Sequence, residues 1–172
     1  MGSLRGKIDF VVLVSATNAN PNGDPLNGNR PREDVEGFGE MSDVCIKRKI
    51  RNRWQDMGAD IFVQSDDRSN DVCKSLKERA DSCKPLKAEF DRKKSADRDK
   101  CAELACRQWM DVRSFGQVFA FKGVEVSLGI RGPVSIHQAV SVDPVDIISM
   151  QITKSVNSEA GKEGKASDTM GA

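Results

Sequence analysis

Few residues in this 172-residue chain are chemically versatile, and their spacing removes most catalytic classes. The single histidine, His137, lies in a strand-like run with no serine or cysteine pattern around it, so it is read as a strand residue. The cysteines are Cys45, Cys73, Cys83, Cys101 and Cys106, an odd number without a Cys-x-x-Cys pair. Cys101 and Cys106 have no neighbouring histidine or second pair to complete a tetrahedral site, so the five are expected to be reduced structural thiols. Asp24 stands between Gly23 and Pro25 in an Asn-rich loop. A carboxylate there could bind Mg²⁺ or activate a nucleophile, but the setting is that of a turn residue. These residues imply no catalytic set, no metal site and no cofactor.

What remains is charge. From Val44 to Gln55 the chain carries Lys47, Arg48, Lys49, Arg51 and Arg53 and no acid. The whole chain has 27 basic and 26 acidic residues, a net of +1, so a uniformly basic nucleic-acid glove is excluded and a local basic face is not. A solvated helix face is the plain reading of such a run. Ordinary surface helices, however, intersperse acids for i,i+4 pairing, and this segment does not.

The element that must position these cations is a helix over about Asp43–Met57. Ser42 is a good N-cap, and Asp43 places negative charge at the positive end of the helix dipole. At 100° per residue Ile46, Ile50, Trp54 and Met57 fall on one stripe of about 80°, the expected core face. Trp54 is therefore assigned to the core rather than to base stacking. Upstream, Ile8–Val14 is a β-branched apolar run with the signature of a buried central strand. It leads into a long loop, Asn18–Pro31, dense in Asn, Gly, Asp and Pro, whose backbone amides could meet phosphates.

Gly58 ends the helix and Ile61–Val63 is a brief apolar piece. From about Asp67 to Met110 acids and bases alternate, which predicts a salt-bridged surface helix pair inserted on the domain, with no chemistry assigned. Strand patterns return at Gly116–Phe121, Val124–Ile130 and Val134–Val142. Arg113, Phe115, Gly116 and Val118 fit part of the signature of RNA-recognition-motif strands, but the last aromatic is out of register, and buried strand aromatics are the better reading. After Val145, Ile148, Met150 and Ile152 alternate on one face, and beyond Val156 the composition is that of a flexible polar tail or hairpin tip. The order gives an α+β class whose start is half of a ferredoxin-like split βαβ unit. No apolar run approaches the roughly 18 residues of a membrane span and no signal peptide is visible, which points to the cytoplasm.

Three segments together are specific. Asn18–Pro31 (NANPNGDPLNGNRP), Ser42–Asn52 (SDVCIKRKIRN) and Asp111–Val118 (DVRSFGQV) with Ile130–Val134 (IRGPV) resemble the backbone subunit of type I CRISPR surveillance complexes (Cascade), the type I-C form most closely. The likeness runs nearly end to end and includes Ser141–Pro144 and Asp168–Gly171. Family members are longer, so the chain looks truncated, with the RRM-like domain incomplete at the C-terminus.

The resemblance implies an RRM-like palm begun by residues 1–63 and continued by 111–146, a fingers-like helical insertion over 64–110, and a β-hairpin thumb with a flexible tail over 147–172. It implies a non-enzymatic CRISPR RNA-binding protein whose copies polymerise along one guide RNA beside other Cascade subunits, with the target DNA strand paired to the guide. The positions matching RNA-facing elements are Asn22, Arg32, Lys47, Arg48 and Arg51, with Met150 or Ile152 as the candidate thumb wedge. Guide RNA is single-stranded, so cations can hold its phosphates while its bases stay available for pairing. Two alternatives stand beside this one. In the related type III backbone proteins a loop Asp cleaves bound target RNA, and Asp24 lies in the comparable loop. The chain could also be a non-RNA-binding fragment that caps the subunit array.

Overall fold

In the computed structural model, which describes residues 5–122, 127–153 and 169–171, short strands precede and follow a run of helices. Strands β1 (Gly23–Asp24), β2 (Arg30–Pro31) and β3 (Phe38–Met41) come before helix α1 (Asp43–Asp56). Helices α2 (Leu76–Ser82), α3 (Lys84–Phe90), α4 (Arg98–Gln108) and α5 (Met110–Phe115) follow. Strands β4 (Gly116–Phe119), β5 (Leu128–Arg131), β6 (Ala139–Pro144), β7 (Gln151–Thr153) and β8 (Thr169–Gly171) complete the order. The class is α+β, as expected. The strands form two-stranded ladders: β1 with β2, β3 with β6, β4 with β5 and β7 with β8. The chain divides into two compact units, Met1–Glu40 with Val140–Ala172, and Met41–Ala139.

Several expectations are corrected. Ile8–Val14 forms no strand, and its side chains are exposed, Val11 to 87% and Leu13 to 88%. A central strand needs a ladder on each edge, and no described strand pairs with this run. Composition reported its apolarity but could not report a partner. Likewise 134–138 is irregular and only Ala139–Pro144 is a strand, which leaves His137 exposed outside any strand. Residues 145–150 are also irregular, with Ile148 and Met150 exposed. The β7–β8 ladder pairs Gln151 with Gly171, Ile152 with Met170 and Thr153 with Thr169. The side chain of Ile152 and the polar tip expected over 155–168 lie outside the described residues.

Phe115 is not a strand aromatic either. It closes α5, and Gly116 at φ +80 turns the chain directly into β4. A Cβ on Gly116 would collide with the Ile130 carbonyl oxygen across the β4–β5 ladder, so glycine is required twice over.

The segment read as an insertion is where the larger core lies. Ala80 of α2, Leu86 and Phe90 of α3, Cys101 and Ala105 of α4, and Val112 of α5 close around Phe62 and Trp109. Phe119 of β4 and Leu128 of β5 complete the cluster. Phe62 lies between two rings of the cluster, with centroids 4.7 Å from Trp109 and 5.0 Å from Phe119. Two acids of this segment anchor the fold, one at the surface and one inside. Asp97 caps α4 by accepting from the amides of Asp99 and Lys100. Glu89, buried on α3, accepts from Arg92 Nη1 at 2.8 Å, Lys100 Nζ at 3.1 Å and the Asp97 amide at 3.4 Å.

The Arg92 hydrogen bond chiefly, and that of Lys100 after it, hold the Glu89 carboxyl at about 2, well below its ordinary 4.5. A depressed carboxylate stabilises the fold above its unfolded value, and that contribution disappears as pH falls through the folded one. Thermal unfolding should therefore show a midpoint that drops from pH 4.5 toward pH 2. In Glu89→Gln the midpoint should be lower at neutral pH and its fall across that window shallower. A wild-type slope retained by Glu89→Gln would assign the acid sensitivity elsewhere.

Candidate nucleic-acid interface

The basic helix is oriented by the short apolar piece that follows it. Ile61 and Phe62 are fully buried, yet Ile61–Val63 lies in no strand, so its peptide groups need other partners. Charged side chains supply them. Asp111 on α5 accepts from the amides of Phe62 and Val63 at 2.8 and 3.0 Å. Arg79 on α2 donates from Nη1 to the Phe62 carbonyl at 2.9 Å while its Nε and Nη2 fork onto Asp71 at 2.6 and 3.0 Å. Arg48 on α1 donates to the Val63 carbonyl at 2.8 Å. Arg51 on α1 closes the cluster, Nε to Asp111 Oδ2 at 2.9 Å. The Asp111 and Arg51 side chains are 1% and 12% exposed.

Two of the three RNA-facing candidates on α1 thus point inward. Burial first, and then the adjacent Arg51 guanidinium, draw Arg48 below its ordinary value, with the Asp111 and Asp67 carboxylates opposing. The apolar stripe itself buries less than expected: no residue of α1 is fully buried, and Met57, expected on the core face, is 69% exposed. Trp54 sits on Phe115 in a stack with centroids 5.3 Å apart, a half-buried packing position. Ser42 caps the helix as expected, accepting from the Cys45 amide.

Lys47 lies partly exposed at the edge of the stripe that meets Phe115. Its Nζ lies 3.0 Å from Asp43 Oδ2 and its side chain is 24% exposed. That hydrogen bond chiefly lowers the Asp43 carboxyl below its ordinary value. Lys49 and Arg53, which the sequence pattern placed on the far flank of the helix, are exposed. They are the outward-facing cations of α1, and sequence alone did not single them out.

In the other unit the Asn-rich loop is a small folded knob. Asp24 Oδ1 accepts from the Leu26 amide at 3.0 Å, capping a 3₁₀ turn over Pro25–Asn27, and lies 3.6 Å from Arg32 Nη2. Asn29 and Gly28 take left-handed φ of 60° to close the turn, and Asn20 holds the Asn29 carbonyl at 2.6 Å. The Arg32 amide donates to the Asn22 carbonyl at 3.1 Å, and Asn22 Nδ2 donates to the Gly23 carbonyl at 3.2 Å. Arg32 Nε is buried with no partner among the described residues, while the side chain as a whole is 39% exposed. Met150 is exposed ahead of β7.

Among the described residues no three His, Cys, Asp or Glu side chains converge as a metal site, and no helix is long and apolar enough to cross a membrane. All five cysteines are free thiols, and burial raises those of Cys101 and Cys106 above the ordinary value.

Residues 6–172 match the sequence profile of a family described as CRISPR-associated protein Cas7. A protein of Haloferax volcanii, itself described as CRISPR-associated protein Cas7, is 34% identical over 116 residues, which cover 66% of this chain and 32% of the relative. The matched stretch thus spans about a third of the curated relative's length.

The inward cluster gives a direct stability test. Asp111→Ala should cost about 3–5 kcal/mol, because it strands Arg51 and two buried amides without an acceptor. Lys47→Ala, which opens an i,i+4 pair and a cation contact over the Phe115 ring, should cost no more than about 1 kcal/mol. Urea denaturation followed by circular dichroism checks both.

Proposed function

Because the chain belongs to the family of CRISPR-associated Cas7 proteins, we propose that it serves as an RNA-binding backbone subunit of a type I surveillance complex of the I-C kind. Copies stack along one guide RNA in the cytoplasm, with other subunits of the complex at the ends and the target DNA strand pairing to the guide. An RRM-like palm, a fingers-like helical segment and a β-hairpin thumb over 147–172 are part of this proposal. The observation that carries it is α1, whose five cations between Val44 and Gln55 face no acid within the run. Lys49 and Arg53 are exposed on its far flank, and Lys47 stays partly exposed at the edge of the inward stripe, once Arg48 and Arg51 have turned inward. Arg32, whose side chain is 39% exposed, offers a second anion contact in its own unit, beside Asn22.

The protein acts without cutting the strand it holds. The Asp24 carboxylate is engaged in capping and in the Arg32 pair, which supports a turn role over that of a metal ligand. Phosphate contacts suit a guide whose spacer changes, since they carry no sequence information and leave base edges for pairing. Weak binding per subunit is compatible with a stable array, because linked copies gain through effective concentration.

The chain should bind single-stranded RNA of any sequence with an affinity that falls as salt rises. Combining Arg32→Gln with Lys47→Gln should flatten the slope of log K against log salt by about 1.4, at roughly 0.7 per lost phosphate contact on a single strand. The inward pair Arg48 and Arg51 should affect binding only through folding. A double variant with the wild-type slope would show that these residues touch no phosphate.

A further inference from the structure

We propose that Phe115 is a positioning residue of the RNA-binding face, acting through Lys47, an inference that rests on the RNA-binding reading above. Asp111 and Phe115 are i and i+4 on α5, so they lie one above the other on a single face. Lys47, Arg51 and Trp54 are i, i+4 and i+7 on α1 and form the facing stripe. The two stripes interlock. Asp111 holds Arg51, and the Phe115 ring stacks on Trp54 with planes 25° apart. Over the same ring sit two cations, Arg51 Cζ at 5.2 Å and Lys47 Nζ at 5.9 Å from the centroid.

A cation over an aromatic face is held by the ring quadrupole. Lys47 is therefore tethered at two points, the Asp43 carboxylate and the Phe115 ring. An ammonium has three N–H donors, and the carboxylate takes one, so donors remain for a phosphate oxygen. An untethered lysine loses rotamer freedom when it grips a ligand; Lys47 has given up part of that freedom before RNA arrives. Arg51 sits over the same ring but is committed to Asp111, which leaves Lys47 as the cation the ring can present. The ring itself is not a stacking platform for a base, because Trp54 and the two cations already engage it.

The test is a mutant cycle on a fluorescent oligouridine, read by anisotropy, with thermal midpoints measured alongside. Phe115→Met keeps an apolar side chain of similar reach against Trp54 but has no ring face. It should weaken binding about two- to fivefold, the range expected for an exposed cation–π contact. Phe115→Tyr should restore wild-type affinity, and in a Lys47→Gln background Phe115→Met should cost nothing further. Equal losses in both backgrounds, or wild-type affinity for Phe115→Met, would overturn the inference while the RNA reading stood. A wild-type chain that fails to bind the oligouridine would remove the RNA reading itself. Should Phe115→Met not fold, reductive ¹³C-methylation of the lysines decides. The Lys47 methyl signal should be shifted upfield by the ring in the wild type and in Phe115→Tyr, and a random-coil position there would count against the tether.

Discussion

The peptide groups of Phe62 are buried and those of Val63 half-buried, with no described strand beside them, and charged side chains of α1, α2 and α5 converge on them. A buried amide or carbonyl left unpaired costs as much as a lost hydrogen bond. Here a carboxylate and two guanidinium groups take the part of the missing strand. Buried ions are themselves costly unless their remaining donors and acceptors are filled. The cluster meets that condition by sharing: Asp111 serves two amides and Arg51, and Arg79 serves a carbonyl and Asp71. One face of the segment is thereby tied to α1, α2 and α5 while Phe62 fills the centre of the hydrophobic core.

That arrangement sorts the cations of α1 into two populations. Arg48 and Arg51 point at the interior and fix the rotation of the helix, while Lys49 and Arg53 are exposed on its far flank and Lys47 lies partly exposed at the edge of the inward stripe. Arginine suits the inward task because its planar fork donates several bonds in fixed directions, and lysine suits a flexible outer contact with phosphate. A run of like charge on one helix thus serves folding and binding through different residues. The Trp54–Phe115 stack lies where the two populations meet, with a cation of each kind over one ring.

Much of the local structure was legible in the sequence. Ser42 and the apolar spacing gave α1 nearly to the residue, and the Gly–Asp–Pro setting gave the turn at Asp24. The rotation of α1 was not legible, because it depends on Asp111, sixty residues further along. Helical periodicity compares residues within one element and carries no information about a distant carboxylate. The same limit explains Ile8–Val14, where β-branched apolar residues report a tendency to pair but not the presence of a partner. It explains the 64–110 segment as well: alternating charges suggested a solvated surface, whereas Glu89 is buried with its ion pairs beside an apolar core. The DVRSFGQV segment was legible as a match to a known family. What it does physically, through Asp111, Phe115 and Gly116, emerged only from the contacts.

The most direct measurement is native-state hydrogen exchange at the Phe62 and Val63 amides. If Asp111 holds both in a cluster that opens only with the core, they should exchange as slowly as the amides of Cys101 and Ala105 in α4, although they belong to no helix or strand. Exchange at the rate of the exposed residues 69–72 would show that the charged cluster opens on its own. The orientation of α1, and with it the division of its cations, would then have to rest on something else.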